Sequence, residues 1–136
     1  MDAESQTEIN SATDIVTARQ RGRSLALELG FNGADVTLIA AAISEVARNI
    51  VDHAKKGQIL MSSVHNSSNG GKKGIQIIAR DQGPGIRDVA QAMQYGYSTR
   101  KGLGVGLPGA KWLMDEFDIA SEVGRGTTIT MKKWKR

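Results

Sequence analysis

Asp81 stands at the end of the apolar stretch Ile75-Gln76-Ile77-Ile78-Ala79 and just before Gly83, Pro84 and Gly85, within the segment RDQGPGI. A plain chain reversal is satisfied by one residue at positive φ, so a second glycine and a proline beside a single acid ask for another reason. A carboxylate at a strand end, followed by glycines that admit a flat group against the backbone, can accept a hydrogen bond from an exocyclic amine such as that of adenine. A hairpin exit that carries a stray acid is the plainer alternative. Upstream, at about 100° per residue, Glu45, Asn49 and Asp52 share one flank of a helical pattern. Such oxygen donors suit Mg²⁺, which is usually held by few protein oxygens while phosphates and water complete its octahedron. A polar rim on a half-buried helix would read the same way. Downstream, the run Gly102-Leu103-Gly104-Val105-Gly106-Leu107 leads into another helical pattern. Glycines let backbone amides approach phosphate oxygens, and a helix N-terminus adds favourable partial charge. Arg100 and Lys101 directly precede the run and would offset a triphosphate, although a flexible loop is again the alternative. Together, in the order helix, strand-turn and glycine loop, the segments point to a nucleotide.

Two common nucleotide folds are excluded. Gly104, Gly106 and Gly109 fit G-x-G-x-x-G, but that fingerprint needs a preceding buried strand in a βαβ unit, and YGYSTRK is not one. No G-x-x-x-x-G-K-[ST] occurs, so a P-loop is absent as well.

The elements that must position these residues follow from periodicity and punctuation. Ile15, Ala18, Gly22, Leu25, Ala26 and Leu29 keep helical spacing, with Thr13 as N-cap and Gly30 as stop. Arg19, Arg21 and Arg23 on the exposed side of this helix are a candidate contact for acidic partners. Val36, Ile39, Ala40, Ile43, Val46, Ala47 and Ile50 predict a second helix running through His53, with His53 a packing or supporting residue. Gln58 to Val64 and Ile75 to Asp81 flank the polar segment HNSSNGGKKG and predict an antiparallel pair. A short strand near Glu8 to Asn10 is weakly signalled, and Asp88 to Tyr95 could form a short helix. Pro108 suits a first helical turn, and Leu107, Ala110, Leu113, Met114 and Phe117 continue the helical spacing. FDIASEVGRGTTITMKKW predicts two strands around Gly124-Arg125-Gly126. Helices gather early and strands mostly late, which predicts a two-layer α/β (α+β) sandwich.

The 136 residues match the length of one ordinary domain, so residues 1–136 are expected to fold as one unit. Hydrophobic residues at 40% and charged residues at 24% are near globular averages and speak against disorder. The apolar run Leu38 to Ile43 is far too short to span a bilayer, and the polar N-terminus carries no targeting pattern, so no membrane association is expected. The absence of cysteine rules out disulfides and thiolate metal sites and is compatible with the cytoplasm. The net charge of +4 collects in turns and at the C-terminus, and aromatics are only 4%, so nucleic acid is not an expected partner.

The order Glu45-x-x-x-Asn49-x-x-x-His53, Asp81-x-Gly83-x-Gly85, Gly102-x-Gly104-x-Gly106-Leu107 and Gly126-Thr127 resembles the motif boxes of the GHKL (Bergerat) ATP-binding superfamily over nearly the whole chain. Within it, AISEVARNI, DQGPGI and GLPGAKWLMDEF resemble the switch serine/threonine kinases of the bacterial stressosome, part of the anti-sigma-factor kinase family. The resemblance implies a mixed, largely antiparallel sheet covered on one face by helices. It implies that Asp81 binds the adenine N6, with Gly83 and Gly85 admitting the base and Thr127 assisting through water. Asn49 would ligate Mg²⁺, and Glu45 would orient or deprotonate the attacking hydroxyl. Gly102, Leu103, Gly104, Val105, Gly106 and Leu107 would cover the phosphates of ATP, with Arg100 or Lys101 meeting the γ-phosphate. The implied substrates are STAS-domain scaffold or antagonist proteins, and the released kinase would bind and activate a partner serine phosphatase through its regulatory domain. The rival reading is an anti-sigma factor that sequesters a sigma factor in a nucleotide-dependent way. A third is a nucleotide-binding domain without catalysis, against which the presence of both Glu45 and Asn49 argues.

Overall fold

A helix begins where its first free amides find acceptors, and here that point is Ser11 rather than Thr13. Helix α1 (Ala12–Glu28) is preceded by Ser11, and Asp14 Oδ2 accepts from the backbone N–H of Asn10 at 2.7 Å and of Ser11 at 3.1 Å. Its expected stop is observed: Gly30 sits at φ 92°, its N–H reaches Leu27 O at 3.0 Å, and Phe31 N–H reaches Ala26 O at 3.0 Å. Asn32 then caps helix α2 (Gly33–Asn49), accepting from Asp35 N at 2.8 Å. The computed structural model describes residues 4–66, 71–86, 89–93 and 106–135.

The second helix does not run on regularly to His53. After Asn49 the chain makes a single π-helical turn, Ile50–Ala54, closed by Lys55 N–H on Ile50 O at 2.9 Å with Lys55 at φ 75°. The wider turn shifts the helical phase. His53 and Asp52 are consequently exposed, and His53 is not the packing residue that an unbroken helix predicts.

The strands are β1 (Glu4–Ile9), β2 (Gly57–Asn66), β3 (Lys72–Asp81), β4 (Glu116–Glu122) and β5 (Gly126–Trp134), in the sheet order β1-β2-β3-β5-β4. Every pairing among the described residues is antiparallel, in keeping with the largely antiparallel sheet expected. The weakly signalled first strand is longer and earlier than its sequence suggests, because it is held by pairing with β2 rather than by its own propensity. Between β3 and β4 lie the short helix α3 (Val89–Ala92) and helix α4 (Gly106–Leu113). Phe117, expected to extend the pattern of α4, belongs to β4, where it alternates inward with Ile119 and Ser121.

Successive side chains on a strand point to opposite faces, and one face of each central strand is apolar. Ile59 and Met61 of β2, Ile75, Ile77 and Ala79 of β3, and Ile129 and Met131 of β5 are buried against the helical layer. That layer contributes Val36, Ile39, Ile43, Val46 and Ala47 from α2, and Leu107 and Ala110 from α4. At Gly22 the two long helices approach so closely that a Cβ would overlap Ile43 Cδ1. Arg21, expected on the exposed side with Arg19 and Arg23, is engaged instead on the edge strand, where its Nη1 donates to Gln6 O at 2.9 Å and Thr7 Oγ1 at 3.0 Å. Among the described residues, no helix is long and apolar enough to cross a membrane.

Ile43 is wholly buried at the α1–α2 contact. Ile43→Ala should therefore lower stability by about 2–5 kcal/mol, read as a lower urea midpoint with an unchanged slope.

Candidate nucleotide site

The pleat of β3 that buries Ile75, Ile77 and Ala79 also turns Asp81 inward, at the last position of the same row. Asp81 is only 8% exposed. Its Oδ1 accepts from Gly83 N–H at 2.9 Å, which holds the carboxylate against the start of the turn. Oδ2 has no hydrogen-bond partner among the described residues. Directly across the ladder, Asp81 faces Thr127 at the start of β5.

Thr127 is also buried, and its hydroxyl lies 2.8 Å from Ser121 Oγ. Ser121 Oγ donates to Gly126 O at 3.3 Å and accepts from Ile86 N–H at 2.7 Å. With the Ser121 proton directed to Gly126, the Thr127 hydroxyl is the donor to Ser121, and its lone pairs are free to accept. Ser121 was not singled out by sequence reasoning. Its signal was positional, since hairpin pairing around Gly124 to Gly126 places it opposite Thr127 on the inward row of β4.

The glycines beside Asp81 serve the packing of backbone on backbone. A Cβ at Gly83 would lie 2.5 Å from Ala54 Cβ, at the end of the π-helical turn. At Gly85, φ 79°, a Cβ would overlap Glu122 O, and at Gly126, φ 111°, it would overlap Asp81 O. Gly124 N–H donates to Pro84 O at 2.8 Å. The turn after β3 is thereby clamped between the π-helical turn and the β4–β5 hairpin, a role the sequence alone did not disclose for Gly83 and Gly85.

Glu45 approaches from the helical layer. Its side chain is 11% exposed, Oε1 accepts from Gly106 N–H at 3.0 Å, and Oε2 meets Arg48 Nη1 at 3.1 Å. The acid expected to act in chemistry is thus joined to the first residue of α4, where the glycine run becomes helix. Leu107 is buried in the core and anchors that helix start. Asn49, one turn beyond Glu45, is half-buried and makes no capping hydrogen bond with its side chain. Arg100, Lys101, Gly102, Leu103, Gly104 and Val105 lie outside the described residues.

The donor set near Asn49 can be tested against Mg²⁺. Among the described residues, no group of three or more His, Cys, Asp or Glu side chains could hold a metal. One amide oxygen at a half-buried helix end fits a cation carried mainly by phosphate oxygens and water, rather than one caged by protein.

An antiparallel sheet covered by helices, an inward acid at a strand exit, and a carboxylate joined to a glycine-led helix define an ATP-binding domain of the histidine kinase-like class. The chain matches the family described as "Histidine kinase-like ATPase domain" over residues 10–133 and belongs to it. It is 52% identical over 136 residues to the serine/threonine-protein kinase RsbT of Bacillus subtilis (strain 168), covering 100% of both chains. It is 31% identical over 103 residues to the anti-sigma F factor of Thermoanaerobacter sp. (strain X514), covering 74% of this chain and 71% of that protein. Among solved structures, the RsbU and RsbW domains of Rv1364c from Mycobacterium tuberculosis match with TM-score 0.62 and 24% identity, over 100% of this chain and 33% of that one. That likeness concerns the fold.

Gly126 carries the tightest approach in the site. Gly126→Ala would force both a positive φ and an overlap with the Asp81 carbonyl, so a loss of roughly 1–3 kcal/mol or more is expected. Thermal melting with and without nucleotide should show a lower Tm and a smaller shift on adding ATP.

Proposed function

We propose that residues 1–136 act as one ATP-binding domain, a cytoplasmic protein serine/threonine kinase that transfers the γ-phosphate of ATP to STAS-domain antagonist proteins of a bacterial stress-signalling complex. Once released from them, the kinase binds and activates a partner serine phosphatase and so regulates a sigma factor. The observation that carries the catalytic part is the Glu45 carboxylate held on Gly106 N–H at 3.0 Å, which joins a candidate base to the start of the glycine-led helix. The full-length identity of 52% to a serine/threonine kinase supports the class of acceptor.

In this reading Asp81 Oδ2 accepts from the adenine amine, and Thr127, opposite it, offers its lone pairs to the base through water. Gly102, Gly104 and Gly106, with the amides of Leu103, Val105 and Leu107, cover the phosphates, and Arg100 or Lys101 meets the γ-phosphate. Asn49 would supply the protein oxygen to Mg²⁺, which when bound offsets phosphate charge. The acceptor hydroxyl oxygen attacks the γ-phosphorus, and the bond to the β,γ-bridging oxygen breaks. ADP leaves with that electron pair, and the hydroxyl proton passes to Glu45. Such a transfer needs mainly positioning and charge stabilisation, which this set of groups can supply.

A second reading, a weakly catalytic module that sequesters a sigma factor, is favoured by the similarity to anti-sigma F factors at 31% identity. Transfer of γ-labelled phosphate from Mg-ATP to a purified STAS-domain antagonist separates the two. Acid-stable label on serine or threonine is expected; ATP binding without transfer, together with stable capture of a sigma factor, would favour the second reading. Asp81→Asn keeps an acceptor for Gly83 N–H but replaces a carboxylate oxygen, so it should abolish measurable ATP binding by calorimetry while the fold persists. Glu45→Ala should leave ATP binding in place and slow transfer by ~10²-fold or more, the usual range for a general base. A normal transfer rate in that variant would remove Glu45 from the role of base.

A further inference from the structure

We propose that Arg48 is a positioning residue for phosphoryl transfer, acting by holding the Glu45 carboxylate in its reactive orientation. This rests on the reading of Glu45 as the base. The motif that singles out Glu45 and Asn49 passes over Arg48, yet among the described residues Arg48 is the charged side chain that touches the base directly. Its Nη1 lies 3.1 Å from Glu45 Oε2, while Oε1 is held on Gly106 N–H at 3.0 Å.

The two contacts come from different directions. One is a backbone amide at the start of α4, and the other is a guanidinium from the same face of α2, three residues on. A glutamate side chain has three rotatable bonds, and a single hydrogen bond at one oxygen would leave the plane of the carboxylate free to turn. Anchoring both oxygens fixes that plane. Each carboxylate oxygen still has a second lone pair, so the anchored group can accept the proton of the acceptor hydroxyl without first releasing either partner.

The Arg48 side chain is 40% exposed and that of Glu45 11%, and an ion pair with one partner open to solvent contributes only modestly to folding. The contact is a single one, through Nη1, and the planar guanidinium fixes the direction of that N–H more than the rotating ammonium of a lysine would. Arg48 does not touch the reacting atoms in this account. It acts through Glu45.

The test is a double-mutant cycle on the full chain, using Mg-ATP and a purified STAS-domain antagonist with transfer of labelled phosphate as the readout. Arg48→Ala is expected to lower kcat by about tenfold, with the KM for ATP changed less than twofold and the melting temperature nearly unmoved; misplacing a catalytic group by a small distance commonly has effects of this order or larger. Arg48→Lys should recover part of the loss. In a Glu45→Gln background, Arg48→Ala should cause no further loss, because residues that act as a unit are strongly non-additive. Independent, multiplying losses in the double variant would overturn the proposal, as would an unchanged kcat in Arg48→Ala or a rise in the KM for ATP alone. A slow Glu45→Gln beside a normal Arg48→Ala defeats this inference and leaves the base standing, whereas a normal Glu45→Gln defeats the base itself.

Discussion

The two-residue pleat of β3 is the constraint on which the rest depends. Because Ile75, Ile77 and Ala79 must face the helices to bury their side chains, Asp81 must face them too. A one-residue slip would expose three apolar side chains and carry the acid to the open face of the sheet. Core packing and the inward placement of Asp81 are thus fixed by the same register. The pairing of β3 with β5 extends this constraint to Thr127, which occupies the corresponding end of the row that buries Ile129 and Met131.

Close approaches then tie the strand ends to one another and to the π-helical turn. Gly83 lies against Ala54, Gly85 against Glu122, and Gly126 against Asp81. Each joint excludes a side chain, so the turn that follows Asp81 is seated by its neighbours on both sides. The π-helical turn after Asn49 belongs to the same arrangement, since it brings Ala54 to Gly83 while leaving Asp52 and His53 in solvent. Such local widening of a helix is often found where function requires a side chain or backbone to be re-aimed.

Helix α4 is fastened at both ends. At its start Gly106 N–H is bound to Glu45. At its end the buried Lys133, on the inward row of β5, donates to Leu113 O at 2.9 Å and lies 3.9 Å from Asp115. A cation at a helix C-terminus satisfies a carbonyl that has no partner within the helix and complements the dipole. The glycine-led segment therefore runs into a helix whose position is set by the sheet.

Much of this was legible in the chain. The second helix, the β2–β3 hairpin, the final hairpin and the start of α4 follow from apolar spacing and from glycine and proline punctuation, and Glu45, Asn49, Asp81 and the glycine run stand out by residue type and order. The misreadings were local. Ser11 displaced Thr13 as the cap because Asp14 could reach its amide, Phe117 joined a strand because β5 offered it a partner, and His53 left the core because the helix widened. What residue order determined by itself was which groups could do chemistry and which segments would carry them, since periodicity and turn propensity act over a few neighbouring residues. The contacts of Ser121 with Thr127, of Gly83 with Ala54, and of Glu45 with both Gly106 and Arg48 were decided only by the tertiary structure. Those contacts depend on strand register, helix phase and the direction of individual side chains, and these are set when the core closes.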